Sequence, residues 1–319
     1  MKNTPSAVII VSNYNGASYF YKKHNILWNV LSSLKKTKYH NYKIVMADDK
    51  STDKSVEYVK NNFPYVDIVI NDSNGGFSKN SNKAIKYSMR KYKPDYVLLL
   101  NNDIIIIDDL WLNKLSKVAE SDSKIGIVGC KLVYPTRRIQ HAGIISANYA
   151  YANRGRGEVD RGQYDKIEEV NGVTFALVLI KTKVFDEVSY LDENFFMGYE
   201  DIDFCLRAGK KGFRIIYDGE VKEIHLEGFT STNFKNEDVK RLMIFTDMRN
   251  YVYFSYKYLN LWQRLIGIYI NLILGSFLTI EGRDRNRSML NLRIKSRPID
   301  RLKVFIRAIM AGRKLYYSS

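Results

Sequence analysis

Three short polar clusters follow apolar runs in the first third of the chain. Ser12, Asn13, Tyr14, Asn15 and Gly16 follow residues 7–11 (AVIIV), Asp48 and Asp49 follow 42–47 (YKIVMA), and Asn101, Asn102 and Asp103 follow 96–100 (YVLLL). One carboxylate at a strand end is ordinary surface chemistry, whereas several converging on one crevice suit a polar ligand. The triplet at 101–103 is the most suggestive. A carboxylate fixed there can bind Mg2+ or Mn2+, hard cations that take oxygen ligands and bridge to substrate phosphates. The competing reading is a turn, because Asn and Asp end strands by bonding their own backbone.

A second constellation lies at 195–207 (FFMGYEDIDFCLR), where Glu200, Asp201 and Asp203 fall within four residues between aromatics. Carboxylates so crowded are costly unless solvated, paired or functional. On a helix Glu200, Asp203 and Arg207 share a face, so Asp203–Arg207 reads as an i,i+4 ion pair at an acidic helix N-terminus. Asp201 points elsewhere and is a candidate general base if it faces a crevice. His225 is one of four histidines and reads either as a packed side chain or as a metal ligand. Gly75-Gly76-Phe77 matches neither a dinucleotide nor a Walker-type phosphate loop. The single Arg154-Gly155-Arg156-Gly157 run is a weak RNA signal.

These residues need elements to position them. The runs at 7–11, 42–47, 66–70, 96–100 and 125–129 are short and aliphatic, as suits strands buried on both faces of a parallel sheet. Between them Ile26, Leu27, Val30, Leu31 and Leu34 form one helical stripe, and Leu112, Leu115 and Val118 another. Ser51, Thr52 and Asp53 offer N-cap side chains before a further helix. Strands alternating with helices predict a doubly wound α/β fold, with ligands beyond the carboxyl ends of the strands. Residues 146–166 carry Asn, Gly, Arg and Tyr without periodicity and are expected to form a long mobile loop.

Length and composition bound the rest. The 319 residues suggest one large domain with an appendage, or two domains. With 45% hydrophobic and 26% charged residues, the chain is neither disordered, collagenous nor a simple coiled coil. Cys130 and Cys205 are too few for a disulfide framework, which points to a reducing, cytoplasmic setting. The first apolar run is too short for a signal peptide, so the chain is expected to start inside its fold.

The net charge is +16, and residues 240–319 hold 16 basic against 4 acidic residues, +12 of that excess. Residues 265–280 form an apolar stretch interrupted by Asn271 and flanked by Arg264, Arg283, Arg285 and Arg287. That stretch falls short of the roughly 20 residues of a spanning helix. Beyond it Ile299, Leu302, Phe305, Ile306 and Ile309 line one helical face, with Arg301, Lys303 and Arg307 around it. Such a helix either lies on an anionic membrane or packs on the main domain with its basic face in water.

Taken in order, the segments resemble the inverting nucleotide-sugar glycosyltransferases of family 2, with a GT-A fold, and their rhamnosyltransferase-like branch. The resemblance runs from about residue 7 to 231. It rests on 11–16 (VSNYNG), 48–53 (DDKSTD), 74–77 (NGGF) with Asn82, 98–103 (LLLNND), 126–129 (GIVG), 131–135 (KLVYP), Arg138-Ile139-Gln140 and 198–203 (GYEDID). It implies a GT-A domain at 1–235 followed by a basic helical, membrane-associating region at 236–319. Ser12, Tyr14 and Asp48 then match positions that hold the nucleoside, with Asn15, Asn74, Gly76, Phe77 and Asn82 also on the donor side. Asn101 and Asp103 match the metal motif, with Asp103 as ligand to Mg2+ or Mn2+ and His225 as a further ligand. Asp201 matches the catalytic base, and Glu200 the residue that supports acceptor placement. Segment 146–166 matches an acceptor-facing lid.

The sequence departs from the family pattern at three places. Asn101 stands where Asp is common, Lys50 where Gly is common, and no second histidine follows His225. The expected partners are a UDP- or dTDP-sugar, a glycan or lipid-linked acceptor and the inner, cytoplasmic face of a membrane. Two other readings are an idle GT-A scaffold and a nucleic-acid-binding protein. Against the latter, residues 1–239 are nearly neutral, with 34 basic and 30 acidic residues.

Overall fold

The computed structural model describes residues 4–147, 150–227, 237–277 and 298–319. Four parallel strands open the chain: β1 (Ala7–Asn13), β2 (Tyr42–Asp48), β3 (Asp67–Ile70) and β4 (Tyr96–Asn101). They alternate with α1 (Ile26–Leu34), α2 (Ser55–Asn62) and α3 (Gly76–Tyr92). Their order in the sheet is β3-β2-β1-β4. The chain thus winds outwards from β1 and then returns to its other side. That reversal makes the carboxyl ends of β1 and β4 a topological switch point, where such sheets leave a crevice. Register sets the level of the exits, with Asn13 beside Asp48 and Ser12 beside Asn101. The runs are largely apolar because both faces are covered over most of their length. Ile9, Ile10, Val45, Leu98 and Leu99 are fully buried, each contributing about 1.5–3 kcal/mol.

The second half of the sheet is mixed. After β5 (Ile104–Ile105) and α4 (Trp111–Glu120) come β6 (Ile125–Val133) and β7 (Ile139–His141). A hairpin of β8 (Ile144–Ala147) and β9 (Ala150–Asn153) follows, then β10 (Ile167–Glu169), β11 (Leu177–Lys181), α5 (Thr182–Val188), α6 (Glu200–Lys210) and β12 (Arg214–His225). β11 runs antiparallel between β4 and β6, so the fifth predicted strand is not the neighbour of the fourth. A strand buried on both faces is apolar whichever way it runs, so its direction is not written in its pattern.

The described residues of segment 146–166 do not form the mobile loop that composition suggests. β9 pairs with β8, and Arg138 bridges Val159. The fully buried Lys131 ammonium lies 3.1 Å from Asp160 and also contacts Asp165, while Lys222 holds Asp160 at 2.6 Å. Arg154 pairs with Glu168 and Arg156 with Glu227. The segment is fastened by buried charge pairs instead of an apolar stripe, so a hydrophobic-period reading misses it.

The basic helices are α7 (Glu237–Tyr258), α8 (Leu261–Phe277) and α9 (Pro298–Ser318). The boundary expected at 235/236 lies outside the described residues. α7 is apolar on several faces because it is packed on several faces. Tyr253 and Phe254 join Phe195 and Ile202 in one cluster, while Met248, Tyr251 and Val252 join Phe305 and Ala308 of α9 in another. Phe305, the middle of the face expected on a membrane, is therefore spent on protein packing. Among the described residues no helix is long and apolar enough to cross a membrane. Arg283, Arg285 and Arg287 lie outside the described residues.

Candidate active site

Asp103 and His225 meet at the switch point. β5 pairs antiparallel with the end of β12, placing His225 opposite Ile104, and the Leu226 amide donates to the Asp103 carbonyl at 3.0 Å. The His225 Nε2 atom then lies 3.0 Å from Asp103 Oδ1, and its Nδ1 lies 3.0 Å from Gln140 Oε1 on β7. An amide oxygen only accepts, so Nδ1 carries a proton and Nε2 is turned toward the carboxylate. Burial disfavours charge on the ring, but the Asp103 carboxylate outweighs it and raises the His225 pKa.

A ring oriented by a partner on Nδ1 and presenting Nε2 beside a carboxylate is a common metal-ligand arrangement. The pair fits one divalent cation that takes its other ligands from a diphosphate and water. Among the described residues no group of three or more His, Cys, Asp or Glu could hold a metal by itself. Beyond His225, Glu227 accepts both from Arg156, at 2.6 and 2.7 Å, and from the Tyr134 hydroxyl. This clamp fixes the chain just past the histidine.

The donor-side residues divide into two sets. Asn13 is the hub of one, donating to Asp48 at 2.8 Å and accepting from the Asn102 amide nitrogen at 2.8 Å. Asp48 is fully buried, and its carboxylate also accepts from the Ser51 hydroxyl and backbone amide at 2.6 and 2.9 Å. It is turned inwards and braces the strand ends. Asn82 is likewise buried and committed, exchanging hydrogen bonds with the Leu191 backbone and donating to Glu193.

The other set faces outwards to differing degrees. Tyr14 and Asn74 are exposed, while Ser12, Asn15, Phe77 and Asn101 are partly so. Asn15, left-handed at φ 54°, accepts from the Thr52 and Asp53 amides and ties the β1 exit to the turn before α2. Asp49 accepts from the Gly75 and Gly76 amides at 2.9 and 2.8 Å, holding the start of α3. Gly76 has φ +76°, and a Cβ there would fall 2.1 Å from the Phe196 carbonyl oxygen.

Phe196 begins the turn into α6. The Phe77 amide donates to its carbonyl at 2.7 Å, tying the donor-side loop to the carboxylate cluster. In that cluster Asp203 is buried and paired with Arg207 at 2.9 Å, as its i,i+4 spacing predicts. Glu200 is buried with Oε2 lacking a hydrogen-bond partner. Burial, and next the Asp201 carboxylate, push the Glu200 pKa up. Burial also raises Asp201, against the pull of the Ile202 and Phe175 backbone amides. The residue after Phe175 connects the clusters, since the Ala176 carbonyl accepts from the Asn101 amide at 3.0 Å. Asp201 is thus a partly buried carboxylate of raised pKa, joined through two consecutive residues to the strand that ends in Asn101, and a carboxylate so tuned can take up a proton.

Sequence reasoning grouped Asn13, Asp49 and Asn102 with the polar strand ends and quoted Gln140 in a motif without giving any of them a role, and it missed Arg156 and Glu227 as site-building residues. Only their adjacency to the quoted motifs could have signalled them.

Residues 8–186 match the model of glycosyl transferase family 2. The chain belongs to that family. It is 24% identical over 235 residues to the O-antigen biosynthesis protein RfbC of Myxococcus xanthus, covering 71% of this chain but 18% of that protein. It is 26% identical over 205 residues to the rhamnosyltransferase WbbL of Escherichia coli, covering 60% of this chain and 76% of WbbL. Among solved structures it resembles the mannosyltransferase PcManGT of Pyrobaculum calidifontis, in complex with GDP-Man and Mn2+. The TM-score is 0.56 at 13% identity, over 99% of this chain and 88% of that one. GalNAc-T7 with UDP, GalNAc and Mn2+ gives a TM-score of 0.59 at 14% identity, over 99% of this chain and 59% of that one. Both share the GT-A fold.

Proposed function

We propose that this family 2 chain is an inverting glycosyltransferase. It moves a sugar from a nucleoside-diphosphate donor, UDP or dTDP favoured, to a hydroxyl of a cell-surface glycan or lipid-linked acceptor. The observation that carries the reading is the Asp103–His225 pair, buried at the switch point with Gln140 orienting the ring. Asp103 and His225 would hold Mn2+ or Mg2+, and the imidazole nitrogen tilts the choice toward Mn2+ because Mg2+ strongly prefers oxygen. When bound, the cation supplies positive charge for the departing diphosphate.

The chain's own residues carry the remaining steps. Asp201 takes the proton of the acceptor hydroxyl as its oxygen attacks the anomeric carbon. The bond from that carbon to the diphosphate oxygen breaks on the opposite face, and the nucleoside diphosphate leaves with the bonding pair. One displacement inverts the carbon. Glu200 lies beside Asp201 to position the acceptor, and Tyr14, Ser12 and Asn15 border the nucleoside.

The helical region supports work at the cytoplasmic face of a membrane, with Phe305 withdrawn into packing and an exposed face of α8 added to what the sequence suggested. On α8 the exposed side chains Trp262, Leu265, Ile266 and Tyr269 follow helical spacing. On α9 Ile306, Met310 and Tyr317 are exposed among the exposed cations Lys303, Arg307, Arg313 and Lys314. Apolar side chains interleaved with cations suit an anionic bilayer.

Calorimetric titration with UDP, dTDP and GDP, each with Mn2+ and then with EDTA, tests the donor site. Metal-dependent binding of one nucleotide is expected. Failure of all three would overturn the reading.

A further inference from the structure

The turn that delivers Glu200 and Asp201 is strained, and part of what holds it comes from outside the turn. Gly198 and Tyr199 are both left-handed, at φ +90° and 75°. For a bulky residue such as Tyr199 that costs about 1–3 kcal/mol. The α6 N-terminus has no side-chain cap of its own. Such a conformation persists only where its surroundings over-determine it.

The surroundings are α7. The side-chain amide of Asn250, itself fully buried, donates to the Met197 and Gly198 carbonyls, each at 3.0 Å. Arg249 donates to the Asn194 carbonyl at 3.0 Å and to Asn250 Oδ1 at 2.7 Å, which fixes the amide's orientation. About two turns further along, Lys257 and the Tyr258 hydroxyl reach Asp203 at 2.5 and 2.7 Å, and Lys257 also reaches Asp192 at 2.9 Å. One buried amide nitrogen thus meets the two carbonyls that immediately precede Tyr199 and the carboxylate pair.

We infer that α7 is a working part of the active site, with Asn250 as the positioning residue that holds the turn presenting Glu200 and Asp201. The C-terminal region is then more than an anchor. The inference rests on the proposed role of Asp201 as base. It needs Asn250 to act through the turn, not on the substrate. The charged groups around Asp201 are Glu200 and Asp203, the latter neutralised by Arg207 and Lys257. A loosened turn therefore acts on Asp201 mainly by letting water in, which lowers its pKa.

The test uses the full chain with Mn2+, following release of nucleoside diphosphate from UDP-glucose or dTDP-rhamnose, with water as acceptor, across pH. Asn250→Asp keeps the shape and an acceptor for Arg249 but donates nothing to the two carbonyls. It should lower kcat roughly 10- to 100-fold, leave nucleotide affinity within about twofold of wild type, and move the acid limb of kcat to lower pH. Asn250→His, which keeps one donor, should recover part of both effects. It stands in if Asn250→Asp fails to bind nucleotide. Simple destabilisation would reduce active protein without moving the acid limb. Wild-type kcat and an unmoved limb in either folded variant would overturn the role of Asn250. Asp201→Asn is run alongside: retained turnover there defeats the base reading itself, independently of what Asn250 does.

Discussion

His225 and Asp103 stand 3.0 Å apart although 122 residues separate them. Two residues of antiparallel pairing between β5 and β12 bring them together, and Gln140 reaches the ring from a third strand. Substituting Gln140 by Ala leaves Asp103 and His225 in place but frees the ring to turn. We expect Mn2+ affinity in the presence of nucleotide to fall about 10- to 100-fold, and His225→Ala to lose more. Calorimetric Mn2+ titration decides between this and a merely packed histidine, for which neither substitution would change the affinity.

Asp201→Asn should reduce turnover by about 10²- to 10⁴-fold, the usual contribution of a positioned base, with nucleotide affinity intact. Because burial raises the Asp201 pKa, wild-type kcat should rise with pH through a value above the ordinary aspartate range. Stability runs the other way. A carboxyl whose folded pKa is raised binds its proton more tightly in the native state, so its contribution is present at low pH and lost as pH rises through the folded value. The Asn variant should therefore melt above wild type at pH 7 to 8 and level with it near pH 4. A variant that melts lower at pH 7 would show that this carboxylate is not desolvated at a cost.

Much of this site was legible because its residues sit where local pattern changes. Asp103 and Asp201 each end an apolar run or start a helix, and the β1 to β4 runs are read from continuous hydrophobicity. The joining geometry was not legible. The direction of β11 leaves no trace in Leu177–Lys181, since either direction buries the same faces. Asp48 and Asn82 look as exposed as Asn74 in sequence, yet both are buried and bonded to Ser51, Asn13 and the Leu191 backbone. Lys131 and Asp160 fasten a segment whose composition reads as a loop, because ion pairs across 29 residues have no period.

Gly76 links the two halves of the site. Its positive φ alone would cost Ala roughly 1–2 kcal/mol, and the methyl would also meet the Phe196 carbonyl. Gly76→Ala should lower the melting temperature by several degrees and weaken both nucleotide binding and turnover, since Phe196 leads into the turn that carries Asp201. An unchanged melting curve would mean that the loop at 74–77 and the turn at 196 are not tightly coupled in solution.

The exposed face of α8 and α9 makes a separate prediction. Trp262 is 73% exposed, whereas Trp111 is fully buried and Trp28 is partly buried. Insertion into a bilayer should therefore shift the tryptophan emission mainly through Trp262. The full chain should bind vesicles containing phosphatidylglycerol and ignore pure phosphatidylcholine. Cations near an anionic surface contribute about 1 kcal/mol each, so replacing both Arg313 and Lys314 by Gln should weaken binding roughly 10- to 30-fold. Trp262→Glu should abolish the emission shift while leaving nucleotide binding unchanged, because α8 takes no part in the strand-end cluster. Equal binding to both vesicle types would mean that charge is not what recruits the helices. No binding to either would leave the α8 face to a second copy of the chain, which sedimentation at rising concentration would reveal.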